Sequence, residues 1–300
     1  MGRPKAIVSN QSYSELEDLP KTIFTYWHQG FDKAPRLVRL CIAQVRRLHP
    51  DWEIHLLDEH SISDFIDEFP MPSYNREGIS LAAWSDLVRL QLLLKYGGVW
   101  MDPTVFCARP LGSWLPGLMD SGIFLFSRPG RDRLIASWFI AAVPSNPWLK
   151  EVDKLLRRYW GGRKFRNLGR DYSPFEGQLS RIINRNVVFP RIWFSPLFTK
   201  LLPVQPYFFF HYALAKTAAS SEIAGQVWNA MPKRTADGPH RLLRIGLNER
   251  ITDEARDLIQ SQESMVFKLN WKQVPDRFPE GTVIATLEAI ALSGPAKKTS

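Results

Sequence analysis

Apolar positions along the first 130 residues alternate between two periods. Lys21 to Trp27 places Ile23, Phe24, Tyr26 and Trp27 in a short β-prone run before Gly30, which predicts a buried strand. Pro35 opens a helix whose Leu37, Leu40, Cys41, Val45 and Leu48 share one face, and Pro50-Asp51 breaks it. Glu53 to Leu57 reads as a second strand with Asp58 at its end. Ser61 to Phe69 reads as a short helix with Ile62, Phe65, Ile66 and Phe69 in phase. Ser80 is positioned to cap a helix that runs to Tyr96 and stops at Gly97-Gly98. Val99 to Met101 is then a short strand leading into Asp102, and Pro103, which cannot donate to a ladder, ends it.

The pattern loosens further on. A strand is predicted over Gly122 to Ser127, and helices over 132–143 and 147–160. After Gly161-Gly162 the period is lost. Residues 187–212 read as short strands and turns rich in Pro and Phe, a basic segment covers 233–250, and an apolar run spans Met265 to Trp271. Strand–helix alternation predicts an α/β fold. The expected organisation is a loose lead-in over 1–19, one domain over 20–290 and a polar tail over 291–300. The longest apolar stretch, Leu201 to Ala215, is interrupted by Pro203, Gln205, Pro206 and His211, so no transmembrane helix is expected. Met1 to Asp18 has no apolar core of a signal peptide, so a cytoplasmic protein is expected.

Composition narrows the partners. The chain has 300 residues, a formal net charge of +9, 12% aromatic residues and 11 Trp, a balance that suits anionic or ring-shaped ligands. Peripheral contact with an anionic inner-membrane face is a further expectation from the charge; nucleic acid is not. Cys41 and Cys107 form neither a metal-spaced pair nor a disulfide framework, and Cys107 has no evident base partner for nucleophilic chemistry.

The segment Ser85-Asp86-Leu87-Val88-Arg89 followed by Tyr96-Gly97-Gly98-Val99-Trp100-Met101-Asp102-Pro103-Thr104 carries the chemistry. Asp86 and Arg89, three apart on a helix, share a face. Asp102 emerges at the carboxyl end of a strand, where open α/β sheets place ligands. A carboxylate there, with the Thr104 hydroxyl two residues on, is the kind of pair that can hold Mg²⁺ or Mn²⁺ against a diphosphate.

This segment, SDLVRLQLLLKYGGVWMDPT, resembles the signature of the capsular polysaccharide synthesis proteins, a glycosyltransferase family related to a group of mannosyltransferases and to the clostridial glucosylating toxins. The lead-in Pro20-Lys21-Thr22-Ile23-Phe24-Thr25-Tyr26-Trp27, His49-Pro50-Asp51-Trp52-Glu53 and Leu57-Asp58-Glu59 are similar too, so the likeness covers about residues 20–145. It implies a GT-A-type nucleotide-sugar-binding fold, with a mixed central sheet flanked by helices. Residues 20–145 would then form the donor half and 146–290 a diverged acceptor half. It further implies a retaining transferase that moves a hexose from a nucleoside diphosphate sugar to a glycan or lipid-linked glycan acceptor in surface polysaccharide synthesis. The alternative is a catalytically degenerate glycan-binding protein on the same fold.

On that resemblance Trp27 stacks on the base, Ser85, Asp86 and Arg89 contact nucleotide and sugar, Trp100 lies near the ribose, and Asp102 faces ribose and metal. Asn270 and Trp271 would lie in a loop that closes over the diphosphate, and His211 is a candidate metal ligand from the C-terminal half. One departure stands out: the second Asp of the Asp-X-Asp motif is Thr104, a weaker ligand. Metal dependence is therefore loosened, or a ligand comes from the C-terminal half, or Arg and Lys offset the diphosphate charge instead.

Overall fold

A computed structural model describes residues 19–67, 69, 79–161, 174–201, 206–261 and 263–293. The polar lead-in (1–18) and the tail (294–300) lie outside the described residues.

Six strands come from the first 142 residues: β1 (Thr22–Tyr26), β2 (Glu53–Leu57), β3 (Gly98–Met101), β4 (Val105–Cys107), β5 (Ile123–Gly130) and β6 (Arg133–Ala142). Five of them form one sheet in the order β2-β1-β3-β6-β5. β1 runs parallel to β2 and β3, whereas β6 is antiparallel to β3 and β5. β7 (Val266–Lys268) pairs antiparallel with β4 in a separate two-stranded ribbon. The mixed central sheet flanked by helices is the architecture expected.

Side chains alternate across the sheet, and each face builds its own core. Phe24, Tyr26, Trp100, Ile140 and Ala142 point to one face, where they meet α2 (Leu81–Tyr96), α3 (Pro147–Gly161), α5 (Phe209–Ser220) and α6 (Glu222–Ala230). Ile23, Val99, Met101, Phe139 and Ala141 point to the other, against Val45 and Leu48 of α1 (Arg36–Leu48) and the 111–118 segment. A third core joins α1 to β4, β7, α8 (Asp253–Gln260) and α9 (Val283–Leu292). The two sequence halves thus share their cores.

The expected punctuation is found in place. Ser80 Oγ accepts from Ala83 N at 3.2 Å and starts α2. Gly97 and Gly98 end it with φ of 66° and 85°. A Cβ at Gly97 would lie 2.6 Å from Pro144 Cδ, and one at Gly98 2.7 Å from Thr22 O. The chain therefore turns from α2 into β3 through a space that admits only glycine.

Three expectations are corrected. Residues 132–143, expected as a helix, form β6, which pairs with β5 through the turn at Arg131-Asp132. The strand lies between β3 and β5 with both faces covered, so its apolar run is continuous and does not alternate. Residues 187–212, expected as strands and turns, contain a 3₁₀ helix (Phe189–Phe194), a π-helical turn (Leu197–Leu201) and the start of α5. In α5, Phe209 through Ala215 are all buried, so no polar face marks the helical period. The helix expected over Ser61 to Phe69 is a shorter 3₁₀ turn, Ser61–Asp64, capped by Asp58, whose carboxylate accepts from His60 N and Ser61 N at 3.0 and 2.8 Å.

Candidate active site

Strand order locates the site. From β1 the chain crosses to β2 on one side, then returns past β1 to β3 on the other. The crevice outside the carboxyl ends of β1 and β3 is therefore the point where the winding reverses, the preferred ligand position in open α/β sheets. Trp27 follows β1 directly, and Asp102 follows β3 directly.

Asp102 is held from all sides. Its N–H donates to Trp138 O at 2.8 Å, and its carbonyl accepts from Val105 N at 2.9 Å, closing a tight turn. Its Oδ1 accepts from Trp100 Nε1 at 3.1 Å and Arg89 Nη2 at 3.2 Å. Its Oδ2 accepts from Lys268 Nζ at 2.8 Å, and the same ammonium donates to Thr104 Oγ1 at 2.7 Å. Burial pushes the Asp102 carboxyl up, but the Lys268 and Arg89 cations outweigh it and hold the group below the ordinary carboxylate range.

Arg89 ties the cluster to α2 and the sheet. Its Nη1 lies 3.0 Å from Asp86 Oδ1 and donates to Ser137 O at 2.7 Å; its Nη2 lies 3.5 Å from Ser85 Oγ. The guanidinium rests 4.9 Å from the Trp100 ring centroid. Asp86 is buried, and desolvation pushes its carboxyl up to about 7, against the pull of Arg89 and with an added push from Asp102.

A second group forms just beyond the carboxyl end of β1. Trp27 is half-buried and meets Trp271 edge-to-face, ring centroids 5.8 Å apart. Asn270 Oδ1 accepts from Lys272 N at 3.1 Å and caps the 3₁₀ turn Trp271–Gln273 that presents the second indole. Beside Trp271 opens a cleft of ≈ 520 Å³ lined in part by Lys33, Arg36, Arg39 and Lys272.

The structure thus brings Ser85, Asp86, Arg89, Trp100, Asp102 and Thr104 together, and pairs Trp27 with Trp271 beside Asn270. Two assignments change character. The Trp100 ring is wholly buried, packed against Arg89, so it has no face for a ribose; its indole N–H instead positions Asp102. His211 is buried with its Nε2 3.2 Å from Ser137 Oγ, and burial, Arg133 and Arg89 hold it well below the ordinary imidazole range. It buttresses the strand that accepts from Arg89.

Sequence reasoning missed Lys268. Its only signal was a single cation inside the apolar run Met265 to Trp271. Its effect is large, because it takes the position between Asp102 and Thr104 that a divalent cation would need. Among the described residues no group of three or more His, Cys, Asp or Glu side chains could hold a metal. The donor set at Asp102 and Thr104 does not fit Mg²⁺ or Mn²⁺, which require several oxygen ligands free of competing cations.

Residues 4–188 match the family model described as capsular polysaccharide synthesis protein. The chain belongs to this family. The matched stretch contains β1 through α3 and every α2 and β3 residue of the site, but not Lys268, Asn270 or Trp271. Curated relatives agree with the family. The chain is 33% identical over 161 residues to O-glycosyltransferase braB of Annulohypoxylon truncatum, a match covering 47% of the chain and 38% of that protein. It is 26% identical over 179 residues to glycosyltransferase afumC of Aspergillus fumigatus, covering 51% and 44%. It is 26% identical over 151 residues to inositol phosphoceramide mannosyltransferase 1 of Schizosaccharomyces pombe, covering 48% and 45%. The matches span less than half of each of these relatives' length. Among the described residues no helix is long and apolar enough to cross a membrane.

Proposed function

We propose that this chain is a glycosyltransferase that moves a hexosyl group from a nucleoside diphosphate sugar to a hydroxyl of a glycan or lipid-linked glycan. The observation that carries the reading is the placement of two complementary groups at the reversal point of the sheet. Trp27 and Trp271 offer aromatic surface for a planar base, and the Asp102–Arg89–Lys268 cluster offers a carboxylate and cations for a sugar and diphosphate. Family membership and the names of the relatives support transfer of a glycosyl group. Retention of anomeric configuration and a role in surface polysaccharide are the family's expectation for this chain.

In this reading the donor lies across the carboxyl ends of β1 and β3. Asp102 accepts from sugar or ribose hydroxyls, its orientation fixed by Trp100 and Arg89. Charge on the departing diphosphate is stabilised by donors already in place, which is where such sites gain most rate. The test is a panel of nucleotide sugars with acceptor hydroxyl compounds, read by release of nucleoside diphosphate. Turnover by the wild type, lost in Asp102→Asn, is the expected result. Donor binding without turnover for any acceptor would favour the glycan-binding alternative, and neither binding nor turnover would overturn both.

A further inference from the structure

We propose that Lys268 is the cation that neutralises the diphosphate, in place of a divalent metal, so that donor binding and transfer need no metal ion. This rests on the donor reading above and adds a specific residue and cofactor requirement to it.

The backbone delivers this lysine to one point. Lys268 lies opposite Val105 in the β4–β7 ribbon, its N–H donates to Pro239 O at 2.9 Å, and Leu269 N donates to Thr104 O at 2.9 Å. The Asp-X-Thr turn and the lysine are thus parts of one hydrogen-bonded unit. The ammonium has three N–H groups; Asp102 Oδ2 and Thr104 Oγ1 take two. The third is left for a ligand oxygen, and the side chain is 20% exposed, enough to be reached from the crevice.

Charge balance leaves no surplus carboxylate to hold a dication. Asp86 and Asp102 face Arg89 and Lys268, two formal negative charges against two positive ones. A metal entering at Asp102 would have to displace or approach the ammonium, while a diphosphate would gain from both cations. Nearby groups report the same field. Burial, then Lys268, Arg244 and Arg133, lower His240 to about 4, with Asp237 opposing. Thr104 fits this arrangement: a hydroxyl accepts from an ammonium without adding the second negative charge that a metal would call for.

The transfer balances without a metal. The bond between the anomeric carbon and the β-phosphate oxygen breaks, leaving its electron pair on that oxygen. The acceptor hydroxyl oxygen bonds to the anomeric carbon, and its proton passes to the phosphate oxygen. Lys268 stabilises the added phosphate charge by a hydrogen bond, Arg89 adds its positive field from beneath Asp102, and no redox partner is involved.

The test uses the whole chain, stripped with EDTA. Stabilisation against heat by inorganic pyrophosphate, and by any donor found in the nucleotide-sugar panel, is measured with EDTA and with Mn²⁺ or Mg²⁺. Equal binding and turnover in EDTA and in metal are expected. Lys268→Met should lose about 100-fold in kcat/KM, the effect of removing one charge-stabilising donor, and should lose the pyrophosphate shift. Lys268→Arg should retain part of both. Binding and turnover that appear in the wild type only with metal would overturn the inference while leaving the donor reading intact. Absence of donor binding under every condition would instead overturn the donor reading. The wild-type comparison stands even if Lys268→Met fails to fold.

Discussion

Replacing Arg89 with Met tests whether the guanidinium is the electrostatic keystone of α2 and β3. The substitution keeps most of the volume but removes the bond to Ser137 O and the pairings with Asp86 and Asp102. Lys268 still pairs with Asp102, so the main pH-independent loss is the unsatisfied carbonyl and the weakened Asp102 pairing, about 2–3 kcal/mol. Asp86 adds a pH-dependent part. Its folded value, about 7, lies above the ordinary aspartate value, so in the wild type its contribution is fully present at low pH and is lost as pH rises through 7. Removing Arg89 raises that value further.

At pH 5.5 Asp86 carries its proton in both chains and the extra cost vanishes. At pH 8 the wild-type group is ionised, whereas the variant does best by keeping the proton, at about 1.4 kcal/mol for the one unit separating pH 8 from 7. The expected destabilisation is therefore about 2–3 kcal/mol at pH 5.5 and about 4 kcal/mol at pH 8. Urea unfolding at the two pH values, followed by far-UV circular dichroism with the slope held common, measures both. Groups untouched by the substitution cancel in the difference. A destabilisation that is the same at both pH values, or that shrinks as pH rises, refutes the assignment of Asp86 and Arg89 as a coupled buried pair.

Three further outcomes follow from the same geometry. Gly97→Ala should destabilise by about 1–3 kcal/mol or more, through its positive φ and the contact with Pro144, which a thermal melt would show as a lower midpoint. Trp27→Ala and Trp271→Ala should each weaken donor binding by about 1–3 kcal/mol while leaving the melting temperature nearly unchanged, read by titration of the donor; unchanged affinity in both would remove the base-stacking role. Cys41 and Cys107 are wholly buried, and burial pushes both thiols up, Cys107 to about 12, so Ellman's reagent at pH 8 should label neither until urea unfolds the chain.

The parallel part of the fold was readable because local chemistry marks its boundaries. Pro35, Ser80 and Gly97-Gly98 each impose or forbid a backbone conformation, and each stands where a helix begins or ends. β6 and α5 were misread for a shared reason: both are covered all round, so the amphipathic signal that separates a strand from a helix is missing. The same limit explains Trp100. Its place beside Asp102 was visible, but the alternation that turns its ring toward α2, away from the crevice, depends on strand register. Lys268 was beyond local reasoning, since its partner Asp102 is 166 positions away and only the β4–β7 pairing joins them.

That pairing also sets the order in which the site comes into being during synthesis. All five strands of the main sheet have been synthesised by residue 142, whereas the lysine that meets Asp102 follows 166 residues after it, about 8–30 s later at ordinary elongation rates. In that interval the nascent sheet carries Asp102 without its ammonium partner. The ribbon closes a long loop late, so the contact that completes the Asp102 cluster cannot form until most of the chain has been made. On the proposed role of Lys268, a polypeptide stopped before β7 carries Asp102 and Arg89 but lacks the cation assigned to the diphosphate, and transfer waits for the ribbon to close.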